Sequence, residues 1–256
     1  MRLQLILTLF ALHLLCSDGA RIKIINGDIA KPHSRPYMAL IKFETKYEEM
    51  ICGGSLIHPR WVLTAGHCNR PGSVTTVILG AHAKDKKEKQ QQVFRYPRSY
   101  THPLYNNTHY FNDLKLYKLS SAAKLGKAVQ LLPLPETFDD LKEGTVCEAA
   151  GWGKTEIDDD SEYLLQVNIT VLNRGTCAEH YISKEYEITE NMMCTKVGPR
   201  GQDTCSGDSG GPLICNGVFS GVTSFGPRQC GQPNEASVFT RLTQEYIDWI
   251  HRVINK

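Results

Sequence analysis

The sequence predicts an all-β protein of sandwich or barrel type that closes with one long helix, and three observations predict it. Short runs rich in β-branched and aromatic residues recur between turn residues, as at Tyr37 to Phe43, Trp61 to Ala65, Val74 to Leu79 and Val218 to Ser224. Only the end of the chain has helical spacing, where Leu242, Tyr246, Trp249, Ile250 and Val253 recur after Thr243, a residue suited to cap the helix. That helix is expected to pack against the second half of the protein. No short-period repeat and no low-complexity tract interrupts the pattern.

Residues 3 to 15 form an apolar run after Arg2, shorter than the roughly 20 residues needed to span a bilayer, and small residues follow at Ser17 and Gly19. Residues 1–19 therefore read as a cleaved signal peptide, and residues 20–23 as a short leader ending in Lys23. No later stretch is apolar for long enough to cross a membrane. Of nine cysteines, Cys16 lies in the expected signal peptide, and the other eight form an even set that suits an oxidising compartment. Eight cysteines allow about 105 pairings, which the sequence alone leaves open. No Cys-x-x-Cys pair occurs, so no structural metal is expected.

The chain carries 29 basic and 27 acidic residues, and loss of residues 1 to 23 leaves 26 of each. A balanced charge argues against a nucleic-acid partner. One local run, Lys84-Asp-Lys-Lys-Glu-Lys89, could attract a polyanion, although a solvated loop is its ordinary reading.

The chemistry is concentrated in three motifs. Asp203-Thr-Cys-Ser-Gly-Asp-Ser-Gly-Gly-Pro212 sets Ser209 in a glycine-rich turn beside two acids; Thr64-Ala-Gly-His67-Cys68 lies far upstream and Asn112-Asp113-Leu-Lys-Leu116 between. Each residue alone has an ordinary structural role, in a turn, a core or a strand cap. Together they supply what nucleophilic catalysis needs: a hydroxyl, a base to take its proton, and a carboxylate to hold the base's tautomer.

From Ile24 to Lys256 the chain resembles the trypsin/chymotrypsin family of serine peptidases, and within it the lymphocyte granule proteases of the granzyme A and granzyme K type. The resemblance rests on Ile24-Ile-Asn-Gly-Asp28, His33-Ser-Arg-Pro-Tyr-Met38, Cys52-Gly-Gly-Ser55, Trp61-Val-Leu-Thr-Ala65, Ala149-Ala-Gly-Trp-Gly153, Asp203 to Pro212, and Gly217 to Gly226. It implies two six-stranded antiparallel β-barrels, about 24–134 and about 135–256 with the terminal helix, and an active site between them. It implies the triad His67, Asp113 and Ser209, with the backbone N–H groups of Gly207 and Ser209 as oxyanion donors. Asp203, at the floor of the primary pocket, implies cleavage after Arg or Lys, with Ser224, Gly226 and Ser237 also meeting the substrate. Cutting after Lys23 would free the α-amino group of Ile24 to pair with Asp208 and convert an inactive zymogen into the enzyme.

The same resemblance implies disulfides Cys52–Cys68, Cys147–Cys215, Cys177–Cys194 and Cys205–Cys230, protein substrates, serpin-type inhibitors, a granule proteoglycan, and storage in cytotoxic granules after secretion. No cofactor is implied. The 84–89 loop stands where trypsins bind calcium, and its lysines replace most of the carboxylates such a site needs. Leu104 replaces the cysteine that links granzyme A dimers, so a monomer is expected, with N-glycans at the Asn106 and Asn168 sequons. Three positions depart from the family pattern: Gly66 in place of alanine, Asn26 in place of glycine, and Ser237 in place of a pocket-wall glycine. They are the only support for an alternative, a catalytically weak homologue that binds partners.

Overall fold

The computed structural model describes residues 25–155, 159–182 and 186–256. Residues 1–19, read above as a signal peptide, and residues 20–24 with Lys23 and Ile24 lie outside them. The elements run β1 (Asp28–Ile29), β2 (Met38–Glu44), β3 (Glu49–His58), β4 (Trp61–Thr64), β5 (Val74–Leu79), β6 (Gln92–Arg95), β7 (Arg98–Thr101), β8 (Lys115–Lys118), β9 (Val146–Gly151), β10 (Leu165–Leu172), α1 (Arg174–Tyr181), β11 (Met192–Lys196), β12 (Pro212–Cys215), β13 (Val218–Phe225), β14 (Ala236–Arg241) and α2 (Gln244–Ile254). The protein is predominantly β, as the sequence predicts.

The strands form two antiparallel sheets. One has the order β6-β5-β2-β3-β4-β8-β7, a half-barrel whose two edge strands are consecutive in the chain and parted only by Tyr96 and Pro97. In the other, β10-β11-β14-β13-β12-β9 closes into a six-stranded barrel because β9 also pairs with β10, and β1 adds to β10.

Strand alternation explains both cores. On β10, Leu165, Val167, Ile169 and Val171 point into the closed barrel, while Gln166 and Asn168 point out. On β2 both faces are buried, for two reasons: Ala39, Ile41 and Phe43 fill the first core, and Met38 and Leu40 meet Ile51, Ala150, Trp152 and Leu164 where the sheets abut. The four disulfides form in the pairing that the family resemblance implies.

Helix α2 packs more widely than the sequence suggests. Its residues Tyr246, Ile247, Trp249 and Ile250 share one core with Leu116, Leu119 and Leu132 on the first-sheet side and with Phe219 and Val222 of β13. A closed barrel fills its own interior, whereas the half-barrel leaves an apolar opening that a helix can cover. His102, just after β7, packs edge-on against Tyr246 and Trp249 and ties the helix there. Thr243 does occupy the N-cap position with extended backbone, but its hydroxyl makes no capping bond and is buried without a partner. The short helix α1, which has no apolar stripe to announce it, is capped by Asn173, whose side chain accepts from the N–H groups of Gly175 and Thr176.

This docking predicts that Trp249→Ala destabilises the fold by about 3–5 kcal/mol, the range for deleting a large buried aromatic. Urea unfolding of the variant beside Ile254→Ala, at the partly buried end of the helix, gives the comparison.

Candidate active site

His67 sits on the turn that follows β4. The turn is anchored by the Cys52–Cys68 disulfide and by Thr64, whose hydroxyl donates to the Gly53 carbonyl at 2.8 Å. Asp113 is delivered just before β8 and has no exposed surface. Its Oδ1 accepts the His67 backbone N–H at 2.8 Å, and its Oδ2 lies 2.8 Å from His67 Nδ1 and accepts the Ser224 hydroxyl at 2.5 Å. A carboxylate at Nδ1 assigns the proton to that nitrogen and leaves Nε2 as the acceptor. Ser224 reaches Asp113 because the β13–β14 register shifts between Thr223 and Phe225, a bulge that redirects its side chain. The sequence places Ser224 with the substrate; the structure has it line the cleft and also bond to Asp113.

Residues around the pair were less legible in the sequence. Asn112 holds φ +54°, with its Oδ1 accepting from the Tyr246 hydroxyl at 3.0 Å, so α2 braces the turn that presents Asp113. Gly66 has a reason of its own: a Cβ there would lie 2.9 Å from the Tyr105 ring and 3.0 Å from Asp113 Oδ1. Tyr105 fills the space an alanine methyl would need. Its phenol is held above its usual range by burial and then by Asp113.

Ser209 opens onto the same cleft as His67, a cavity of about 190 Å³ that Thr204, Gly226 and Ser237 also line. Its carbonyl accepts from Gly53 N–H at 2.8 Å, which pins the nucleophile turn to β3. The glycines around it are steric requirements. Gly207 has φ +95° and lies against Gly153, while a Cβ on Gly210, at φ +81°, would come within 2.0 Å of Thr64 Oγ1. Among the described residues the N–H groups of Gly207 and Ser209 find no acceptor.

Asp208 is 1 % exposed and, among the described residues, accepts only the N–H groups of Gly153 at 2.8 Å and Cys205 at 2.9 Å. Burial pushes its carboxyl up to about 7, and no cation among the described residues pairs with it. Gly151 and Gly153 exist to admit it, since a Cβ on either would collide with its carboxyl group.

Asp203 is equally buried, and beneath the cleft rather than open to it. Its Oδ1 accepts Ser237 Oγ at 2.7 Å and Thr204 N–H at 2.9 Å, and its Oδ2 accepts Gly231 N–H at 3.0 Å. Burial raises its carboxyl above the usual range. The Ser237 hydroxyl therefore stands directly on the acid. Of the other departures, Asn26 holds φ +52°, a conformation asparagine tolerates, so the position does call for what glycine normally supplies there.

Away from the cleft, Leu104 is 66 % exposed, and the Asn106 and Asn168 side chains are at the surface. In the lysine-rich loop, Lys84 pairs with Asp160 and Lys86 with Glu162, so part of its charge is already matched. Among the described residues no cluster of three His, Cys, Asp or Glu could hold a metal, and no helix is long and apolar enough to cross a membrane.

A serine in a glycine turn, a histidine held by a buried acid, and two facing β-sheets that carry them define a serine protease. Residues 24–250 match the family model described as Trypsin, and the chain belongs to that family. It is 43 % identical to granzyme A of Bos taurus over 235 residues, spanning 90 % of this chain and 88 % of that protein. It is 38 % identical to mast cell protease 3 of Ovis aries over 253 residues, 98 % and 97 % of the two chains, and 37 % identical to glandular kallikrein of Sus scrofa over 249 residues, 91 % and 97 %.

The packing at residue 66 predicts that Gly66→Ala costs about 1–3 kcal/mol, as overpacking does, and lowers kcat by displacing Tyr105 or Asp113. Thermal unfolding and steady-state kinetics check both effects. An unchanged melting temperature would mean that Tyr105 yields freely.

Proposed function

We propose that the protein is a secreted, granule-stored serine endopeptidase, made as a zymogen and activated by cleavage after Lys23, that cuts peptide bonds after Lys or Arg. The observation that carries this reading is the Asp113–His67 pair sharing one cleft with Ser209, above a buried Asp203. Ser209 Oγ attacks the scissile carbonyl and His67 Nε2 takes its proton. The N–H groups of Gly207 and Ser209 bind the oxyanion, and His67 then protonates the leaving amine. Water repeats the sequence on the acyl-enzyme. After activation, labelling of Ser209 by a fluorophosphonate tests the enzyme reading against that of an inactive homologue. Two of the three departures that favour the homologue, Gly66 and Asn26, are accommodated by Tyr105 and by the positive φ. Protein substrates, serpin-type inhibitors and a granule proteoglycan are the partners proposed with this activity, and a glycosylated monomer is its proposed form.

Activation follows from Asp208. A carboxyl raised from its unfolded value near 4 to about 7 contributes stability below pH 4, and that contribution is lost as pH rises through 7. The uncleaved chain therefore carries a neutral-pH penalty that the new α-amino group of Ile24 would remove. Asp208→Asn in the uncleaved chain should gain stability relative to the parent between pH 4 and 8, by an amount on the order of a few kcal/mol, while the same variant cut after Lys23 stays inactive. Parallel pH–stability curves would contradict this account.

The pocket sets the choice of basic residue. With Ser237 Oγ on Asp203 Oδ1, a guanidinium cannot take both carboxylate oxygens, whereas an ammonium needs one acceptor and can use the hydroxyl. Lys should be preferred to Arg, and Ser237→Gly should shift kcat/KM toward Arg by about 1–2 kcal/mol. Matched Lys and Arg peptides measure the ratio, and no change on substitution would place Ser237 out of reach of the substrate.

A further inference from the structure

Lys115 is a buried cation that the reaction above leaves unused. It is 2 % exposed and lies in β8, flanked by Leu114 and Leu116 of the first core. Opposite it stand Thr64 on β4 and Thr101 on β7, neither of them ionisable. Its Nζ donates to the Cys68 carbonyl at 2.8 Å, and the Tyr117 hydroxyl donates to the same oxygen at 3.2 Å. The ionisable groups around it are Tyr117, whose ring centroid is 5.8 Å away, Asp113, two residues back, and His67, the neighbour of Cys68; Tyr105 faces Asp113 from the far side of Gly66.

An ammonium in such a place is a poor source of cohesion. An apolar side chain of similar volume is commonly as stable or more so, because the ion's desolvation outweighs one carbonyl bond. Burial presses the Lys115 amine down to about 8, with Asp113 opposing, so it is charged at neutral pH. What the ammonium does touch is the backbone of the turn that carries His67. That turn is otherwise held by the disulfide at Cys68 and by the His67 N–H bond to Asp113.

We propose that Lys115 is a positioning residue of the catalytic relay: it fixes the His67 turn through the Cys68 carbonyl and sets a positive charge beside Asp113. The proposal rests on the peptidase reading above. Two consequences separate it from a packing role. Loss of the tether should lower kcat more than it changes KM, since the substrate pocket is built elsewhere. Loss of the charge should make His67 easier to protonate, moving the acid limb of kcat/KM to higher pH.

The test uses the full enzyme starting at Ile24, with active sites counted by fluorophosphonate titration and rates measured on a Lys peptide. Lys115→Met should lose about tenfold in kcat per titrated site, the scale of a small displacement of a catalytic group. KM should stay within about twofold, with an unchanged or higher melting temperature and an acid limb shifted upward. Lys115→Gln keeps an N–H for the Cys68 carbonyl without the charge, so it should recover part of kcat while its acid limb stays shifted. The proposal is overturned by wild-type kcat and pH profile in both variants, or by a kcat loss that only follows a lower melting temperature. Absence of labelling at Ser209 in the unaltered enzyme overturns the peptidase reading, and this proposal with it.

Discussion

A carboxylate with no exposed surface must collect its hydrogen bonds from the protein, and Asp113 collects them from parts of the chain that are far apart in sequence. His67 donates twice from the turn after β4, and Ser224 donates from a bulge in β13 of the other barrel. An unpaired charge at that depth would cost several kcal/mol. The two sheets are therefore registered against each other by an electrostatic requirement as well as by the apolar contact of Met38, Leu40 and Trp152. Helix α2 belongs to the same arrangement: it covers the half-barrel and, through Tyr246 and Asn112, braces the turn that presents the acid.

The three buried acids among the described residues differ in how many donors reach them. Asp113 has three donors, two of them from the histidine it serves. Asp203 has three as well, one of them the Ser237 hydroxyl that covers it. Among the described residues Asp208 has only two backbone N–H groups, and burial raises its carboxyl to about 7. An acid left short of donors is poised for a cation. The glycines crowd where these acids lie: Gly66 at Asp113, Gly151 and Gly153 at Asp208, Gly226 facing Ser237. They mark backbone brought within a Cβ's width of a carboxyl or of the hydroxyl bound to one.

Much of the architecture was legible in the residues. Runs of β-branched and aromatic residues located strands, and the 3.6-residue spacing after Thr243 located α2, because each signal is local and set by backbone geometry. The motifs around His67, Asp113 and Ser209 named reacting groups because their chemistry demands particular side chains. The disulfide pairing came from the family resemblance, since eight cysteines admit too many combinations for spacing to decide.

What the sequence could not decide was which face meets which. Periodicity states that α2 has an apolar stripe, but its partner depends on which barrel remains open. Ser237 read as a departure from a pocket-wall glycine; its direct bond to Asp203 depends on the pairing of β14 with β11 and β13. Gly66 read as a departure from alanine, and Tyr105 lies where the alanine methyl would stand. Thr243 read as a cap by type, yet its hydroxyl makes no capping bond. Lys115 gave no signal at all, because a lysine in a strand is ordinarily solvated, and only the closing of β4, β7 and β8 around it buries the charge beside Asp113. By itself the sequence determined element type and named the candidate reacting groups, which depend on a few neighbouring residues. The tertiary structure decided contact, burial and charge environment, which arise when segments distant in the chain exclude water from one another.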